Sequence, residues 1–585
     1  MKGFLGFVDA TAFKARLSKM LGVYSPDLFE GISSEEKAVI IEAAEQALRH
    51  EFDLLGSGPV KSDPIDWQSD LKCGKRWKKQ FYTNITNIPG ADIKMPWELS
   101  RCQHLLWLGE AYLLTNDERY AKEVVDEINW WIDDNPLMYT VNWKCSMDVA
   151  FRAVNWMFAL NMIAAYRGFD DRLTQKATQS FWQHGFFIRN NLEKVYPESN
   201  NHYTSNLVGL LYIGALFNHT RKGKKWKLFA KKGLVSETMS QILPSGVNYE
   251  RSVSYHRMMT EMLSYPVYML QRIGDVISND VTDRLNGMYA YVANYTKPNG
   301  YAPLIGDNDD GRFAPFLKRV FCRHSYLNNP DSIENRIVAA GMKPLFCTVS
   351  KISKLYADAG VAILHEGDNY LFANNGGYSK SPKDSQRIIG SHTHNDLLSF
   401  ELALNGEDIV VDAGTYLYTS SKSERDAFRA TAKHNTIIVD GEEQNGFISP
   451  FYLERNVCVG KMRMMGEKCV EGDYSTIKGQ MSHRRSFKLS DNKLLVIDSI
   501  KKNGVGHKAH LYLHLAEHVR PAIQGDIVLI NNSVTASFDP IPSKIDIIAD
   551  TLSPSFGIIK PSKTIVLTYV FDNSISISTD ISINS

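Results

Sequence analysis

Residues 35–52, EEKAVIIEAAEQALRHEF, decide the fold of the first half of this 585-residue chain. The segment is rich in Ala, Glu and Leu, and its apolar residues recur three and four positions apart, which is typical of one helix face. Similar segments follow, separated by breaks that carry Pro, Gly, Asn and Asp. They predict helices at 98–114, 119–132, 149–166, 173–191, 207–217, 224–242, 257–274 and 281–296. Helices at such regular intervals, without a strict sequence repeat, predict stacked helical hairpins in a toroid or solenoid.

The second half has a different pattern, which begins after about Met342. Short runs rich in Val, Ile, Phe and Tyr alternate there with Gly, Asn and Asp turns, which predicts a large antiparallel β-sandwich. The clearest runs are 360–364, 370–373, 397–404, 493–497, 510–515 and 564–571. We therefore predict an α+β multidomain protein, with a helical domain over 1–342 and a β domain over 343–585. No flexible linker separates them, so we expect the two domains to pack together.

Composition excludes several classes of protein. The apolar fraction of 44% and the charged fraction of 22% are ordinary for a globular protein. A net charge of +1 argues against a strongly basic surface over the whole chain, so we expect no nucleic-acid partner. No apolar run reaches the length of a membrane span. The seven cysteines include no CxxC pair, which favours free thiols over disulfides or a cysteine zinc site.

The first residues, 1–9 (MKGFLGFVD), bear on localisation. Their apolar part is too short for the core of a signal peptide, and Asp9 interrupts it. The expectation is a cytoplasmic protein if Met1 is the native start, and a periplasmic or secreted protein if a leader was removed. The sequence leaves the oligomeric state open.

The β half contains a set of residue types that suits a metal ion. His392 and His394 are two positions apart, Asp412 closes one β-like run, and His434 directly precedes another. Imidazole and carboxylate groups near the ends of short strands form a plausible zinc-ligand set. His392 is then left over beside the site. The alternative is that these histidines are satisfied core residues without a metal.

The helical half contains two polar clusters, each beside a predicted helix. Residues 197–206, PESNNHYTSN, include the run Asn201-His202-Tyr203, which simple helix capping does not explain. Residues 248–257, NYERSVSYHR, bring a phenol, an imidazole and two guanidinium groups together. Such groups suit recognition of an anionic sugar and proton transfer. A solvated helix start with an aromatic packed beneath it is the alternative.

Three further features are weaker. Residues 303–312, PLIGDNDDGR, resemble a calcium loop in composition, but the spacing does not complete an EF-hand, so a turn near the site is favoured. Trp97 and Trp143 each lie beside polar residues, as in sugar-binding clefts and also in protein cores. The basic stretches 72–79 and 221–232 are interpreted as solvated faces, although they would attract a polyanion.

Taken together, these segments resemble the heparinase II/III-like polysaccharide lyases. The resemblance extends over most of the chain, and it depends on the order of short motifs rather than on any single one. The motifs are 96–101 (PWELSR), 200–202 (NNH), 254–256 (SYH), 306–309 (GDND), 392–396 (HTHND), 411–416 (VDAGTY) and 434–436 (HNT). The resemblance implies an N-terminal incomplete (α/α) toroid followed by a C-terminal antiparallel β-sandwich.

The resemblance also implies an activity, β-elimination on a uronate-containing polysaccharide, and roles for particular residues. The implied catalytic residues are Asn201, His202, Tyr255 and His392. The implied zinc ligands are His394, Asp412 and His434, with the zinc orienting the loop that carries His392. The residues assigned to substrate binding are Trp97, Glu98, Arg101, Trp143, Glu250, His256 and Arg429.

The chemistry explains why such residues are needed. The proton to be removed lies next to a carboxylate that resists a second negative charge, so hydrogen bonds from Asn201, His202 or His392 must stabilise the enolate-like transition state. Tyr255 is the expected acid for the leaving oxygen. It is also the expected base if neighbouring His or Arg residues lower its pKa, and His202 is the alternative base.

Several alternatives stay open from the sequence. Heparan sulfate-like glycosaminoglycans are the first choice of substrate, followed by chondroitin, hyaluronan, alginate or another uronate polymer. A protein on the same scaffold that binds or assembles acidic polysaccharides without catalysis is a second hypothesis. A glycoside hydrolase is a third, but hydrolysis needs two opposed carboxylates. Nothing in the sequence pairs Glu98, Glu250 or Asp307 in that way.

Overall fold

The computed structural model describes residues 9–194, 199–319, 322–346, 351–377, 387–389 and 392–584. Residues 1–8 and Cys347, on which two of the sequence expectations depend, lie outside these ranges. In the described ranges there are thirteen α-helices: α1 (Ala10–Leu21), α2 (Ser34–Leu48), α3 (Lys94–Ser100), α4 (His104–Thr115), α5 (Glu118–Asp134), α6 (Ser146–Met162), α7 (Asp171–Asn190), α8 (Asn201–Leu216), α9 (Arg221–Gln241), α10 (Val253–Arg272), α11 (Asn279–Tyr295), α12 (Ile333–Ala339) and α13 (Lys422–Arg429).

The observed helices agree with the predicted ones except at a few places. Helices α1, α12 and α13 were not predicted. The predicted helix 98–114 is two helices, α3 and α4, because the backbone turns at Cys102, whose φ is 53°. Helices α8 and α10 begin earlier than predicted, and this brings both polar clusters into first helical turns.

The helices differ in how much of their surface is buried. Every residue of α6 is buried, and α8 and α10 are buried along almost their whole length. Helices α5, α7 and α9 bury one face only. Because a helix that is buried on every side must lie inside other elements, the fully buried helices form the inside of the helical half and those with one buried face form its outside.

The strands of the described residues are β1 (Glu51–Asp53), β2 (Pro59–Lys61), β3 (Ser69–Asp70), β4 (Lys75–Arg76), β5 (Lys354–Tyr356), β6 (Val361–Glu366), β7 (Asn369–Asn374), β8 (Arg387–Ile389), β9 (Ser399–Leu404), β10 (Glu407–Val410), β11 (Ile437–Val439), β12 (Gly446–Ser449), β13 (Tyr452–Glu454), β14 (Val457–Val459), β15 (Arg463–Gly466), β16 (Cys469–Thr476), β17 (Met481–Leu489), β18 (Lys493–Lys502), β19 (His507–His514), β20 (Ala522–Gln524), β21 (Ile527–Leu529), β22 (Val534–Asp539), β23 (Lys544–Ser555), β24 (Ile558–Phe571) and β25 (Ser574–Ile583). Strands β1 to β4 form two small hairpins in the helical half.

The later strands form four antiparallel sheets. Their strand orders are β10-β9-β7-β6-β5, β11-β19-β24-β23, β12-β13-β8 and β14-β16-β17-β18-β25-β22-β21-β20, with β15 paired to β16. Buried and exposed residues alternate along β17, as expected for a strand with one face in the core. Leu371, Leu511 and Phe487 come from three different sheets and share one hydrophobic core, so these sheets pack against one another.

The helical and β halves are joined by buried polar contacts, as expected from the missing linker. Lys297 Nζ lies 3.2 Å from Glu401 and 2.8 Å from Asp408, and Glu401 also accepts from the Leu304 backbone N–H at 2.7 Å. The position of the boundary at residues 342–343 stays a prediction. Across the parts of the chain that are described, no helix is both long and apolar enough to cross a membrane.

Candidate active site

The start of α8 places Asn201 and His202 in its first turn. The Asn200 side chain caps this helix by accepting from the His202 backbone N–H at 3.2 Å. The buried amide of Asn201 then points at Glu250, 3.0 Å away, and at Nε2 of His392, 3.3 Å away. Asn201 therefore connects the helical half to the loop of the β half that carries His392.

His202 faces a different set of groups. Its Nδ1 lies 3.1 Å from Glu193 Oε1 and 3.8 Å from the Cys145 thiol, and 39% of its side chain is exposed. The pKa of His202 is raised: burial acts to lower it, but the Glu193 carboxylate outweighs burial, with smaller contributions from Asp148 and Glu250. His202 is thus a solvent-accessible imidazole held by a carboxylate.

Glu193 is itself held in place by further contacts. Its Oε2 accepts from the backbone N–H of Met147 at 2.8 Å and from Asn206 Nδ2 at 3.0 Å. These bonds fix the carboxylate and hence the ring of His202. The arrangement resembles the carboxylate–imidazole pair that orients a general base in hydrolases.

Tyr255 lies in the first turn of α10, where the Ser252 hydroxyl accepts from its backbone N–H at 3.1 Å. Its ring stacks on the His392 ring with centroids 3.5 Å apart, and its hydroxyl donates to Asp309 at 2.9 Å. Burial raises the pKa of Tyr255 well above its usual value, and Asp309 and Asp307 raise it further. The expectation that neighbouring His or Arg residues lower this pKa is therefore wrong, and the phenol is protonated.

A network of buried charges extends from Asp309 to the start of α3. Asp309 lies 2.5 Å from Lys94 Nζ, while Glu98 pairs with Arg101 at 2.6 Å and Arg101 pairs with Asp148 at 2.6 Å. Burial raises the pKa of Glu98 to about 7. Glu98 and Arg101, both assigned to substrate binding from the sequence, therefore bind each other beside Tyr255.

His392 is held by residues 306–307, which belong to a loop of the helical half. Its Nδ1 lies 3.0 Å from Asp307 Oδ2, and its backbone carbonyl accepts from the Asp307 N–H at 2.9 Å. Gly306 makes this approach feasible because its φ is 70° and a Cβ there would lie 2.6 Å from the His392 carbonyl oxygen. The backbone and the side chain of His392 are thus both fixed to the helical half.

Asp307 is the centre of this junction. Its fully buried carboxylate pairs with the Arg425 guanidinium from α13, and it also lies 2.9 Å from His394 Nε2. Burial acts to raise the pKa of Asp307, yet the guanidinium and both histidines hold it well below its usual value. One carboxylate therefore positions His392 and His394 together.

His394, Asp412 and His434 come together as the sequence predicted. Their ligand atoms all lie within 4.8 Å of one another, all three residues are buried, and His434 Nδ1 lies 2.8 Å from Asp412. His394 Nδ1 and His434 Nε2 have no hydrogen-bond partner among the described residues. Buried polar atoms without partners are costly, so the free nitrogens and the carboxylate fit a zinc ion.

Three of the residues assigned to substrate binding are placed elsewhere. Trp143 is 1% exposed and packs on Trp131 and His184 in the core. His256 is 1% exposed, with both ring nitrogens bonded to backbone groups of Asn248 and Met288. Neither the Trp143 nor the His256 side chain reaches a surface of the structure, and their assignment to substrate binding stays a prediction from the sequence.

Arg429 is the third. It is fully buried, and its guanidinium donates to the carbonyls of Pro450 and Ser449 and to Asp426. These contacts secure α13, and the assignment of Arg429 to substrate binding stays a prediction from the sequence. Trp97 is half-buried and donates to the Val141 carbonyl at 3.0 Å, so it forms part of the wall near Glu98.

The sequence analysis missed several residues that the structure brings to the site. They are Lys94, Glu193, Asp307 (treated as a turn residue), Asp309 and Arg425. For Asp307 and Asp309, the motif 306–309 was the only indication in the sequence of a role in the site. Lys94, Glu193 and Arg425 are charged residues that pattern alone does not separate from surface charges.

Comparison with known proteins identifies the family. The Heparinase II/III N-terminus family matches residues 26–328, and the Heparinase II/III-like C-terminal family matches residues 348–579. Together these matches extend over both halves of the chain and across the whole cluster around Asn201, Tyr255 and His392. The chain belongs to the heparinase II/III-like family.

Individual relatives are distant. A heparin-sulfate lyase of Bacteroides thetaiotaomicron is 23% identical over 368 residues, which is 58% of this chain and 51% of that protein. A heparin-sulfate lyase of Bacteroides stercoris is 20% identical over 451 residues, 70% of this chain and 62% of that protein. The matched part of the chain therefore spans 51% of the length of the first relative and 62% of the length of the second.

Solved structures share the fold over almost the full chain. A crystal structure of heparinase III matches with a TM-score of 0.71 at 18% identity and covers 98% of this chain and 89% of that one. Chondroitin AC lyase of Streptomyces coelicolor A3, in complex with chondroitin sulphate, matches with a TM-score of 0.57 at 11% identity, covering 98% and 83%. This chain, with helices in its first part and antiparallel sheets in its second, therefore shares its fold with these neighbours.

Proposed function

We propose that this protein is a polysaccharide lyase that cleaves a uronate-containing acidic polysaccharide by β-elimination. The observation that carries the proposal is the meeting of Asn201, Tyr255 and His392, from two helices and a β-half loop, within hydrogen-bond or stacking distance. An amide, a protonated phenol and an imidazole are the groups that elimination next to a carboxylate requires.

We further propose that the helical half is an incomplete (α/α) toroid and that the sheets are layered as a β-sandwich. The alternation of fully buried and amphipathic helices supports the first, and the hydrophobic core that several sheets share supports the second. In this arrangement residues at the starts of α8 and α10 meet His392 at the junction of the helical and β halves.

Asn201 and His392 are assigned to the substrate carboxylate. The Asn201 amide and His392 Nε2 lie 3.3 Å apart, so one substrate carboxylate that lies beside this pair is within reach of both side chains. Asp307 holds His392 Nδ1 and thus aims the opposite nitrogen, Nε2, at the substrate. Donors that are fixed in advance stabilise the enolate-like transition state more than the ground state.

His202 is assigned as the base and Tyr255 as the acid. The exposed imidazole of His202 is the accessible acceptor for the proton next to the carboxylate, and Glu193 stabilises the imidazolium that then forms. Tyr255 keeps its proton because its pKa is raised, so it can donate to the leaving oxygen. The assignment separates the two roles that the sequence had left with one tyrosine.

His394, Asp412 and His434 are proposed to hold zinc. A bound zinc would supply a structural link between the ends of three β-half segments rather than a reactive group. His394 is two residues from His392 and shares Asp307 with it, so the metal ligands and the catalytic loop are one unit. We assign these ligands to positioning His392.

The first choice of substrate is a heparan sulfate-like glycosaminoglycan. The relatives named as heparin-sulfate lyases support this choice, and the neighbour bound to chondroitin sulphate supports the broader class of acidic polysaccharides. Chondroitin, hyaluronan and alginate stay in the substrate panel as alternatives.

The hydrolase alternative has little support from the geometry. Glu98 pairs with Arg101, Asp307 pairs with Arg425, and Glu250 accepts from Asn201. Each carboxylate is buried with its own partner, whereas hydrolysis needs an opposed pair that is open to substrate and water.

The test is a panel of acidic polysaccharides followed by ultraviolet absorbance of unsaturated uronates and by a reducing-end assay. A lyase raises both signals together on at least one polymer. New reducing ends without the absorbance would identify a hydrolase and refute the proposal. Binding with neither signal would identify a non-catalytic carbohydrate-binding protein.

A further inference from the structure

A second group of metal-ligand residue types lies in the helical half. Glu123 and Glu127 are one turn apart on α5, so they share a helix face, and His50 follows the end of α2. One ligand atom from each residue lies within 4.8 Å of the others. His50 Nε2 is 3.1 Å from Glu123 Oε1. The proposed elimination uses none of these side chains.

Glu127 has an oxygen that lacks a partner. The residue is 1% exposed, and its Oε2 lies 2.6 Å from His104 Nε2. Its Oε1 is buried and has no hydrogen-bond partner among the described residues. A buried carboxylate oxygen left in this way is costly, and a cation beside it would remove that cost.

Both ends of the group are braced by further polar side chains. His50 Nδ1 lies 3.3 Å from Asp63 Oδ1, so a carboxylate holds the ring nitrogen opposite to the one that faces Glu123. His104 holds one oxygen of Glu127 in the same way. Metal-ligating histidines and carboxylates are generally oriented by such outer contacts.

The charge of the group and its access to solvent also fit a cation. The imidazoles of His50 and His104 contact three carboxylates, which belong to Asp63, Glu123 and Glu127. The side chains of His50 and Glu123 are 15% and 21% exposed, so an ion can enter from solvent while Glu127 closes the inner side.

We propose that His50, Glu123 and Glu127 bind a divalent transition cation, with zinc the first choice, at a site separate from that of His394. Imidazole with carboxylates is a zinc-type donor set. Ligand atoms around a tetrahedral zinc are about 3.3 Å apart, so rotations of the side chains suffice to close the site. The ion would tie the end of α2 to α5.

The test measures zinc on the full-length protein. The parent, Glu127→Gln and the matched control Glu118→Gln are stripped with a chelator, incubated with zinc chloride, desalted and analysed for metal. Glu118 is exposed on the same helix, so its variant changes the same charge outside the group. We expect the control to equal the parent and Glu127→Gln to hold one zinc fewer per chain.

A second variant is included because substitution of the buried Glu127 can disturb folding as well as remove a ligand. Glu123→Gln alters a ligand that reaches solvent, and we expect the same loss of one zinc per chain. In thermal unfolding, added zinc raises the Tm of the parent more than that of Glu123→Gln, because an ion bound to the folded state stabilises it. Equal zinc content in the parent, Glu118→Gln and Glu123→Gln would overturn the proposal.

Discussion

Tyr255→Phe removes the proposed acid and changes almost nothing else. The phenol hydroxyl donates to Asp309, which keeps Lys94 and the Gly311 N–H as partners, and it also interacts with the Tyr418 hydroxyl. Loss of that bond costs about 0.5–1.5 kcal/mol of stability. The ring stack on His392, which needs no hydroxyl, is retained. We therefore expect a folded variant that binds substrate about as well as the parent.

The rate of elimination should fall much further than the stability. General acid catalysis contributes about 100- to 10,000-fold, or about 2.7–5.5 kcal/mol of barrier. The assay is the initial rate of unsaturated uronate absorbance, with substrate binding measured separately. A uronate whose leaving group is a phenolate needs little acid assistance, so the defect should shrink on that substrate.

The matched control for this prediction is Tyr265→Phe. Tyr265 lies on the same helix, is 1% exposed, and its hydroxyl has no hydrogen-bond partner among the described residues. Its variant should retain kcat/KM within about twofold, since surrounding contacts stay the same. A Tyr255→Phe enzyme with near-normal turnover, or an equal defect on both leaving groups, would refute the assignment of the acid.

Four further predictions concern the remaining contacts. His202→Ala should lower kcat/KM about 100- to 10,000-fold, and Glu193→Gln should move the acid limb of the pH–rate profile to lower pH. The base acts only above its raised pKa, and the Glu193 anion is what raises it. Arg425→Met leaves the Asp307 carboxylate buried without its cation and should cost about 3–5 kcal/mol in calorimetric stability. His434→Ala should remove one zinc per chain after metal-replete expression.

Each of these predictions has an outcome that contradicts it. An acid limb that stays in place in Glu193→Gln would show that His202 is not the base. For Arg425→Met the control is Arg484→Met, an exposed arginine expected to change stability by about 0.5 kcal/mol or less. Equal effects of the two would contradict the importance of the buried pair. Unchanged zinc in His434→Ala, with His510→Ala as control, would remove His434 from the metal site.

Much of the helical half could be predicted because periodicity is a local property. Segments such as 119–132 and 173–191 became α5 and α7 with ends shifted by only a few residues. The break between α3 and α4 was missed since no Gly or Pro marks it. The turn depends on Cys102 adopting a positive φ, which the packed structure imposes.

The site was predicted unevenly for a physical reason. The grouping of His394, Asp412 and His434 was predicted because candidate zinc ligands are restricted to a few residue types near strand ends. Asp307 was not assigned a role because its partners lie 85 or more residues away in sequence. His256 was assigned to substrate binding because buried and substrate-facing histidines look the same in a sequence until the partners of both ring nitrogens are located.

The central claim is that the glycosidic bond is broken by elimination. The most direct test is whether oxygen from solvent water enters the products. The digestion is run in water enriched in heavy oxygen on the most reactive polysaccharide, with the Tyr255→Phe enzyme alongside, and the products are weighed by mass spectrometry. The account predicts fragments with no heavy oxygen from solvent, each new non-reducing end one water lighter than a hydrolysis product. Incorporation of heavy oxygen at the cleavage site, without unsaturated ends, would contradict it.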